Sequence, residues 1–325
     1  MANVLVVGGA GYVGGAVTDQ LLQTAHNVRV YDSLVYEESY RKPVNFVLGD
    51  VRDQDRLLAH LQWADVVIWL AAIVGDGACA LNPDLTVEVN DVSVRRLAQQ
   101  FNGRIIFTST CSVYGANDNL LDENSPVNPL SVYAQTKLNA EAHLVGKDAL
   151  IFRMGTLFGV GDYFSRIRMD LVVNVLTAKA YMYHNISVFG GTQYRPLLHV
   201  KDVTEAIVRN LETRHSGIVN LHAVNMRITD LADRLLAHFP DLQVQRTESK
   251  FQDNRNYKVS SEKAISMFGF QPKYSVDDGI EELKAILEAG RIKNISLLRH
   301  SNQRFLRDVL EKPSSPLGFE VPHLV

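Results

Sequence analysis

The chain has 325 residues, of which 46% are hydrophobic and 21% charged, and its formal net charge is −3. These values are typical of a soluble globular protein with one large domain or two closely packed ones, and the near-neutral charge argues against nucleic acid as a partner. Two cysteines cannot form a disulfide framework and lack metal-ligand spacing, and no segment reads as a signal peptide or membrane span, so we expect a cytoplasmic protein without a metal.

The first half of the chain alternates short apolar runs with amphipathic stretches. The apolar runs predict buried strands at residues 3–7, 28–31, 45–48, 65–70, 104–108 and 149–153. The amphipathic stretches predict helices at residues 13–23, 53–62, 84–101 and 131–145. Because continuously apolar strands that alternate with helices form parallel sheets covered on both faces, we predict an α/β, Rossmann-type doubly wound sheet.

The alternation changes after residue 154. There the sequence predicts helices at residues 169–180, 203–211, 229–239 and 276–288, with short strands at 186–189 and 217–221. We therefore predict a Rossmann domain of residues 1–154 plus 198–222 and a smaller, mostly helical substrate domain of residues 155–197 plus 223–290. Residues 291–325 form a C-terminal extension, in which the pattern indicates one basic amphipathic helix before a Pro- and Gly-rich end.

Five glycines stand where the first predicted strand gives way to a helix. Gly9-x-Gly11-x-x-Gly14 fits the dinucleotide fingerprint, and Gly8-x-x-Gly11-x-x-Gly14 fits its more widely spaced variant. Glycines permit the tight turn and let a pyrophosphate approach the free N–H groups at the helix N-terminus. The sequence therefore predicts a dinucleotide site.

The second strand ends at Asp32, where a carboxylate accepts hydrogen bonds from both hydroxyls of the adenosine ribose. The same carboxylate repels a 2′-phosphate, which favours NAD over NADP. Arg29, Arg41 and Lys42 leave the alternative open, since a cation turned toward the ribose would accept that phosphate.

Residues with catalytic chemistry follow the next strands. Leu70-Ala71-Ala72 ends the fourth strand with small side chains, and residues 108–115 (TSTCSVYG) end the fifth. Tyr133 and Lys137 in the next helix are four residues apart and share one face. Ligands of such sheets bind beyond the carboxyl ends of the strands, so these residues are candidates for the site.

The ordered set of motifs resembles the extended short-chain dehydrogenase/reductases of the NAD-dependent epimerase/dehydratase family, which act on nucleotide sugars. The resemblance covers about residues 3 to 289 and includes the glycine turn, TSTCSVYG, YAQTK, RPLLHVKDV and DNRNYKVSSEKA. It implies that NAD is bound by Gly8, Gly11, Tyr12, Val13, Gly14, Asp32, Ser33, Asp50, Val51, Leu70, Ala71, Ala72, Asn90, Thr108, Tyr133, Lys137 and Met154.

The resemblance also implies the catalytic roles. Tyr133 matches the acid/base, Lys137 the residue that lowers the pKa of this tyrosine and binds the nicotinamide ribose, and Thr110 the hydroxyl that holds the reacting oxygen. One ammonium about 4 Å from a phenol, at an effective dielectric constant of ~20, favours the phenolate by ~4 kcal/mol. We therefore expect Lys137 to lower the pKa of Tyr133 by roughly three units, toward neutrality.

Two departures from the family pattern limit the chemistry. Dehydratases of the group resemble Thr-Asp-Glu where this chain has Thr110-Cys111-Ser112, and neither a thiol nor an alcohol replaces the acid that expels water, so we expect no 4,6-dehydratase. Cys111 borders the site, either as a small buried spacer, which we prefer, or as an epimerising acid. Thr156 stands where an asparagine usually binds substrate.

The substrate residues are assigned by the same resemblance. Arg195 and Arg255 match arginines that bind the diphosphate of a nucleotide sugar, a geometry suited to bidentate guanidinium groups. The remaining positions that we expect to contact the sugar nucleotide are Val74, Cys111, Ser112, Thr156, Arg168, Asp170 and Leu171. The helices at 84–101 and 131–145 are implied to pair with those of a second copy, so we expect a homodimer.

The sequence thus predicts an NAD-dependent enzyme that acts at C4 of a nucleotide-diphosphate sugar, by epimerisation or by net oxidation. Residues 165–171 and the shortened pocket pattern resemble a subgroup that modifies GDP-linked heptoses, some of whose members oxidise C4. A reductase of free carbonyl metabolites is an alternative that needs no diphosphate clamp. A second alternative is a non-catalytic NAD sensor. An acidic tyrosine argues against it, because a protein that only binds NAD does not need one.

Overall fold

The computed structural model describes residues 1–37, 39–162, 166–247 and 255–311. Its strands are β1 (Asn3–Val7), β2 (Asn27–Asp32), β3 (Asn45–Leu48), β4 (Val66–Trp69), β5 (Arg104–Thr110), β6 (Ala116–Leu121), β7 (Ala149–Met154), β8 (Thr156–Phe158), β9 (Asn185–Phe189), β10 (Tyr194–His199), β11 (Gly217–Leu221), β12 (Val224–Arg227), β13 (Gln243–Thr247) and β14 (Asn256–Val259). Its α-helices are α1 (Tyr12–Leu21), α2 (Gln54–Trp63), α3 (Asp76–Cys79), α4 (Pro83–Val87), α5 (Ser93–Gln100), α6 (Val132–His143), α7 (Val172–Tyr183), α8 (Val200–Arg209), α9 (Ile228–His238), α10 (Glu262–Phe268), α11 (Val276–Glu288) and α12 (Asn302–Glu311).

A parallel seven-stranded sheet organises the first half of the chain. Its strand order is β11-β7-β5-β4-β1-β2-β3, and every pairing between neighbours is parallel. The central strands are buried on both faces because their apolar side chains feed two separate hydrophobic cores. The predicted Rossmann-type fold is confirmed, and the order reverses between β1 and β4, where ligands of such sheets bind.

The predicted helix at residues 84–101 is present as one helical segment that contains a π-helical turn. Helix α4 passes into a π-helical turn at Glu88–Val92, and α5 follows that turn. The turn directs the buried Asn90 side chain at the loop after β4, where it accepts a hydrogen bond from the Ile73 backbone and donates one back. Amphipathic periodicity could not predict the extra residue, because a π-turn keeps the same apolar face.

Several short elements were not predicted from the sequence. Strands β6 and β13 consist largely of exposed polar residues, so they lack the apolar signal of a buried strand. Each belongs to a two-stranded sheet: β6 pairs with β14, and β13 pairs with β9. Their backbone hydrogen bonds depend on partners far away in the sequence, which no local pattern reveals.

The second half of the chain adds a smaller, mixed region beside the sheet. Strands β8, β10 and β12 form a three-stranded sheet, and helices α7, α9 and α11 share a separate hydrophobic core with it. The basic amphipathic helix expected in the extension is α12, which packs against α3. The predicted domain boundaries stay a prediction. No helix in the described ranges combines the length and apolar character needed to cross a bilayer.

A buried ion pair ties the helix α6 to the sheet. The Arg153 guanidinium at the end of β7 donates to both carboxylate oxygens of Glu141, at 2.7 Å from Nη2 to Oε2 and 3.0 Å from Nε to Oε1. Arg153 also donates to the Tyr114 hydroxyl, and Ser109 donates to Glu141. Arg153 and Glu141 are 4% and 2% exposed, so neither charge has water to replace a lost partner.

We predict that Arg153→Met destabilises the fold by about 3–5 kcal/mol, because it leaves the Glu141 carboxylate buried and unpaired. The measurement is the free energy of unfolding from urea denaturation. Arg209→Met is the matched control, since the Arg209 side chain is 62% exposed and pairs only with Glu205 on the same helix. The control should change stability by under about 0.5 kcal/mol. A loss for Arg153→Met as small as that of the control would contradict the assigned role.

A second ion-pair network joins α11 to the start of α8. The Glu282 carboxylate accepts from the His199 ring at 3.0 Å, from the Val160 backbone at 3.1 Å and from Lys201. His199 Nδ1 accepts from the Lys201 backbone, which leaves Nε2 as the donor to Glu282. Burial alone would raise the pKa of Glu282, but the hydrogen bonds from His199 and Lys201 lower it to about 2.

A folded-state pKa below the unfolded value means that Glu282 stabilises the protein above about pH 4.5, and that this contribution disappears as the pH falls toward 2. We predict that Glu282→Gln costs about 3 kcal/mol at pH 7 and much less near pH 3. Urea midpoints across this range measure the difference, with the exposed Glu288→Gln on the same helix as control. A gap between wild type and Glu282→Gln that is constant with pH would refute the assignment.

Candidate active site

A cavity of about 1520 Å³ lies at the carboxyl edge of the large sheet. It extends from the turn after β1, across the ends of β4 and β5, to Arg195 on β10 and Arg255 before β14. Pockets for a single small ligand measure about 300–1,000 Å³. The cavity therefore has room for two ligands side by side.

The glycine turn between β1 and α1 leaves no space for side chains. A Cβ atom on Gly8 would lie 2.4 Å from the Ala71 nitrogen, and one on Gly14 would lie 2.3 Å from the Gly8 oxygen. Gly8 also has a φ of +85°, which other residues rarely adopt. Gly11 caps α1 without a side-chain hydrogen bond, so the first N–H groups of the helix are available to an anion.

The Asp32 carboxylate fixes this turn to the end of β2. One of its oxygens accepts from the Ala10 backbone at 2.9 Å and the other from Leu34 at 2.8 Å. Burial raises the pKa of Asp32, and these backbone hydrogen bonds oppose the rise. Each oxygen retains a lone pair for a ribose hydroxyl, so the turn and Asp32 together fit the adenosine and pyrophosphate of a dinucleotide.

Arg29 and Lys42, two of the three cations considered as partners of a 2′-phosphate, contact other residues of the protein. The Arg29 guanidinium lies 3.9 Å from the Trp63 ring centroid and contacts His60. Lys42 forms ion pairs with Asp19 and, at 2.9 Å, with Asp162. Arg41 donates from Nε to Ser39.

Most residues predicted to bind the cofactor line the cavity. They are Gly8, Gly11, Tyr12, Val13, Gly14, Asp32, Ser33, Asp50, Val51, Leu70, Ala71, Ala72, Thr108, Tyr133, Lys137 and Met154. Asn90 does not line it. The Asn90 amide exchanges two hydrogen bonds with the Ile73 backbone, and its predicted contact with the cofactor stays a prediction.

The three catalytic candidates meet at the carboxyl end of β5. Thr110 ends this strand, and its side chain forms a hydrogen bond with Tyr133, which lies in the first turn of α6. Lys137 follows one turn later, is 3% exposed, and places its Nζ atom 4.4 Å from the centroid of the Phe107 ring. All three line the same cavity as the glycine turn.

The electrostatics of Tyr133 differ from the expectation. Burial raises the pKa of Tyr133, the nearby Cys79 adds to the rise, and the Thr110 hydrogen bond and the charge of Arg168 oppose it. The expected depression toward neutrality by Lys137 is therefore wrong for the described chain. Burial is the largest cause, because apolar neighbours, among them Leu306, deprive the phenol of hydration. Burial also lowers the pKa of Lys137 to about 8.

Cys111 and Ser112 have different surroundings. Cys111 is fully buried, donates from Sγ to the Arg153 backbone and does not line the cavity. Its predicted contact with substrate stays a prediction, and burial raises the pKa of its thiol, which favours the preferred interpretation of Cys111 as a buried spacer. Ser112 lines the cavity, with its hydroxyl 3.3 Å from that of Tyr257.

The remaining substrate candidates also line the cavity: Val74, Thr156, Arg168, Asp170, Leu171, Arg195 and Arg255. Arg195 is 6% exposed and donates to the backbone oxygens of Tyr194 and Arg255, which brings the two arginines next to each other. Arg255 forms a 2.9 Å ion pair with Asp76.

Sequence reasoning missed the contribution of the C-terminal segment. Asn302, Gln303 and Leu306 of α12 line the cavity, and Leu306 packs in the apolar cluster that contains Tyr133. The amphipathic pattern of α12 predicted a buried face, but it contained no signal for where that face would bind. Arg166 connects this segment to the cavity wall, because it donates to the Arg299 backbone and to Asn302.

Comparison with known proteins identifies the family. The model of the NAD dependent epimerase/dehydratase family matches residues 4–222. A protein named putative UDP-glucose 4-epimerase, from Methanocaldococcus jannaschii, is 26% identical and is aligned over 86% of this chain and 96% of its own length. The UDP-glucuronic acid decarboxylase 6 of Arabidopsis thaliana is 25% identical over 86% of each chain.

Among solved structures, MoeE5 in complex with UDP-glucose and NAD superposes with a TM-score of 0.77 at 22% identity, covering 89% of this chain and all of the other, which shows a shared fold. The matched family is NAD dependent, so the predicted cofactor, NAD, is confirmed. With its seven-stranded parallel sheet, its glycine turn and a family match over most of its length, the chain belongs to the NAD dependent epimerase/dehydratase family.

Proposed function

We propose that the protein is an NAD-dependent epimerase that acts at C4 of a nucleotide-diphosphate sugar. The observation that carries the proposal is the single cavity lined by the glycine turn, by Thr110, Tyr133 and Lys137, and by two adjacent arginines. The turn suits a dinucleotide and the arginines suit a second diphosphate. The hydroxyl pair of Thr110 and Tyr133 lies between these two ends of the cavity.

The chemistry assigned to the chain is a proton exchange at the sugar hydroxyl. NAD+, when bound, supplies the hydride acceptor. Tyr133 takes the hydroxyl proton as the C4 hydrogen leaves with its electron pair, and a C4 carbonyl forms. Returning the proton to the carbonyl oxygen as the hydride comes back on the other face gives the epimer. Thr110 holds the oxygen by a hydrogen bond, and Lys137 binds the nicotinamide ribose.

The raised pKa of Tyr133 is compatible with reduction of the C4 carbonyl, because a protonated phenol can donate its proton to the carbonyl oxygen. In the other direction a buried phenolate needs compensating charge, and Arg168 and Lys137 are the cations close enough to provide it. The Thr110 hydrogen bond also favours the phenolate. We therefore expect the activity to rise as the pH increases through the neutral range.

The substrate class is inferred from the cations and from the similar proteins. Guanidinium groups bind diphosphates with paired, charge-assisted hydrogen bonds, and Arg195 and Arg255 are adjacent in the cavity. The names of the similar curated proteins favour a UDP-linked sugar. Thr110-Cys111-Ser112 lacks the carboxylic acid of a dehydratase, and the buried Cys111 offers no replacement, so elimination of water is excluded from the proposal.

We also propose the cellular context expected from the sequence. Helices α4, α5 and α6 lie together along one side of the sheet and form the face by which two copies would pair as a homodimer. In this proposal the predicted Rossmann domain would bind the dinucleotide, and the sugar nucleotide would bind in a cleft between it and the predicted substrate domain. The enzyme would serve carbohydrate biosynthesis in the cytoplasm.

We predict that wild-type protein with NAD+ interconverts the C4 epimers of one of three probes, UDP-, GDP- or dTDP-linked hexoses, without accumulating NADH. Tyr133→Phe should lower kcat by about 10²–10⁴-fold, because the proton exchange is lost while the ring still fills its site. Product ratios are measured by chromatography and NADH by absorbance.

The control for this prediction is Tyr194→Phe, which removes a hydroxyl outside the cavity and should leave kcat unchanged. NADH that accumulates in proportion to substrate would instead identify a C4-dehydrogenase with net oxidation. Full activity of Tyr133→Phe would remove the proposed chemistry and favour a protein that only senses NAD.

We predict that Arg195→Ala weakens binding of the nucleotide sugar by about 10- to 100-fold, since a charge-assisted hydrogen bond contributes about 1.5–3 kcal/mol. KM for the active probe and calorimetric affinity for its free nucleoside diphosphate measure the change. Arg227→Ala removes an exposed arginine of the neighbouring strand and serves as control. Unaltered KM in Arg195→Ala would favour the reductase of free carbonyl compounds.

A further inference from the structure

Arg168 is a buried cation that uses one of its three guanidinium nitrogens in an ion pair with Asp170. The residue is 9% exposed, and its Nε atom donates to Asp170 at 2.9 Å. Its two terminal nitrogens make no hydrogen bond with any other residue in the described parts of the chain, and neither is sealed from the cavity. Burying a guanidinium with its strongest donors unsatisfied is costly, which indicates an anionic partner.

The position of Arg168 indicates which anion it serves. Its guanidinium carbon lies 5.9 Å from the ring centroid of Tyr12, the first residue of α1. Gly11, Tyr12 and Val13, which form the uncapped first turn of this helix, line the same cavity as Arg168. The positive charge of Arg168 also opposes the burial-driven rise in the pKa of Tyr12, of Tyr36 beyond the end of β2, and of Tyr133. Arg168 thus lies among three residues that border the dinucleotide site.

The C-terminal segment holds Arg168 in this place. Asp170, the ion-pair partner of Arg168, accepts through its other oxygen from the Asn302 backbone at 2.7 Å. The Asn302 side chain donates to the Val74 backbone at 3.0 Å and accepts from Arg166. These contacts fix the loop after β4, the segment before α7 and the start of α12 to one another. The guanidinium is therefore pre-positioned, with little side-chain entropy left to lose on binding.

We propose that Arg168 binds the pyrophosphate of NAD from the side of the cavity opposite the glycine turn. The free N–H groups of α1 would contact the pyrophosphate from one side and the two terminal nitrogens of Arg168 from the other. This assignment replaces the sequence-based expectation that Arg168 binds the sugar nucleotide. The diphosphate of the substrate is left to Arg195 and Arg255, which lie on β10 and before β14, away from the turn.

The test compares ligands that contain or lack a pyrophosphate, and it needs no turnover. Arg168→Met keeps the aliphatic stem and removes the charge. Calorimetry should find NAD+ and ADP-ribose bound about 10- to 100-fold more weakly by this variant, while adenosine and UDP bind as they do to wild type. Arg168→Lys should recover part of the loss. Purified Arg168→Met should also carry less bound dinucleotide, measured by mass spectrometry after denaturation.

Two variants serve as controls. Arg304→Met makes the same change of charge at an exposed position of α12 and should not alter affinity for any of the probes. Arg195→Ala should give the opposite pattern, with weaker UDP binding and unchanged NAD+ binding. Because all readouts are equilibrium affinities, an inactive enzyme or a wrong substrate would not affect them.

Three outcomes would overturn the proposal. Unchanged affinity of Arg168→Met for NAD+ would show that the guanidinium does not contact the pyrophosphate. Weaker UDP binding with normal NAD+ binding would assign Arg168 to the substrate. Equal losses for NAD+, adenosine and UDP would show that the residue only maintains the shape of the cavity.

Discussion

The close approach of two backbones, at the turn after β1 and at the segment after β4, is the constraint on which the site depends. No Cβ atom fits on Gly8 or Gly14, because the Ala71 nitrogen and the Gly8 oxygen already occupy that space. The tight turn leaves the N-terminus of α1 uncapped at the point where the strand order of the sheet reverses. Asp32 then binds the same turn to the end of β2. The rest of the cavity is arranged around this fixed, electropositive helix end.

Charge is the second organising property of the cavity. Its wall carries the cations Lys137, Arg166, Arg168, Arg195 and Arg255 around acids that are themselves held by partners. Arg255 is paired with Asp76, and Arg168 with Asp170, so each cation has a defined direction. Such preorganised cations attract phosphates without a large entropic cost. The charge of Arg168 also opposes the burial-driven rise in the pKa of Tyr133, so this cation and the buried phenol are electrostatically coupled.

The sequence predicted the large sheet because its strands are continuously apolar and its turn needs glycine, both of which are local signals. It also predicted which residues line the cavity, since strand ends in such sheets converge. It did not predict Asn90 as a brace of the Ile73 backbone, because the direction of a side chain in a π-turn depends on the fold, whereas the buried position of Cys111 agrees with the preferred expectation of a spacer. The raised pKa of Tyr133 could not be predicted from the sequence either. That value depends on apolar neighbours such as Leu306, more than 170 residues away in the chain.

Helix α12 lies outside the segment that the family model matches, yet Leu306 is part of the wall behind Tyr133. The sheet and the glycine turn come from the first part of the chain, whereas Asn302 joins the loop after β4 to Asp170. During synthesis on the ribosome, a nascent chain can therefore form its Rossmann sheet well before its reaction chamber is closed. Helix α12, which is translated after every strand of the sheet, contributes to the wall of that chamber, so the order of translation separates folding of the scaffold from completion of the cavity.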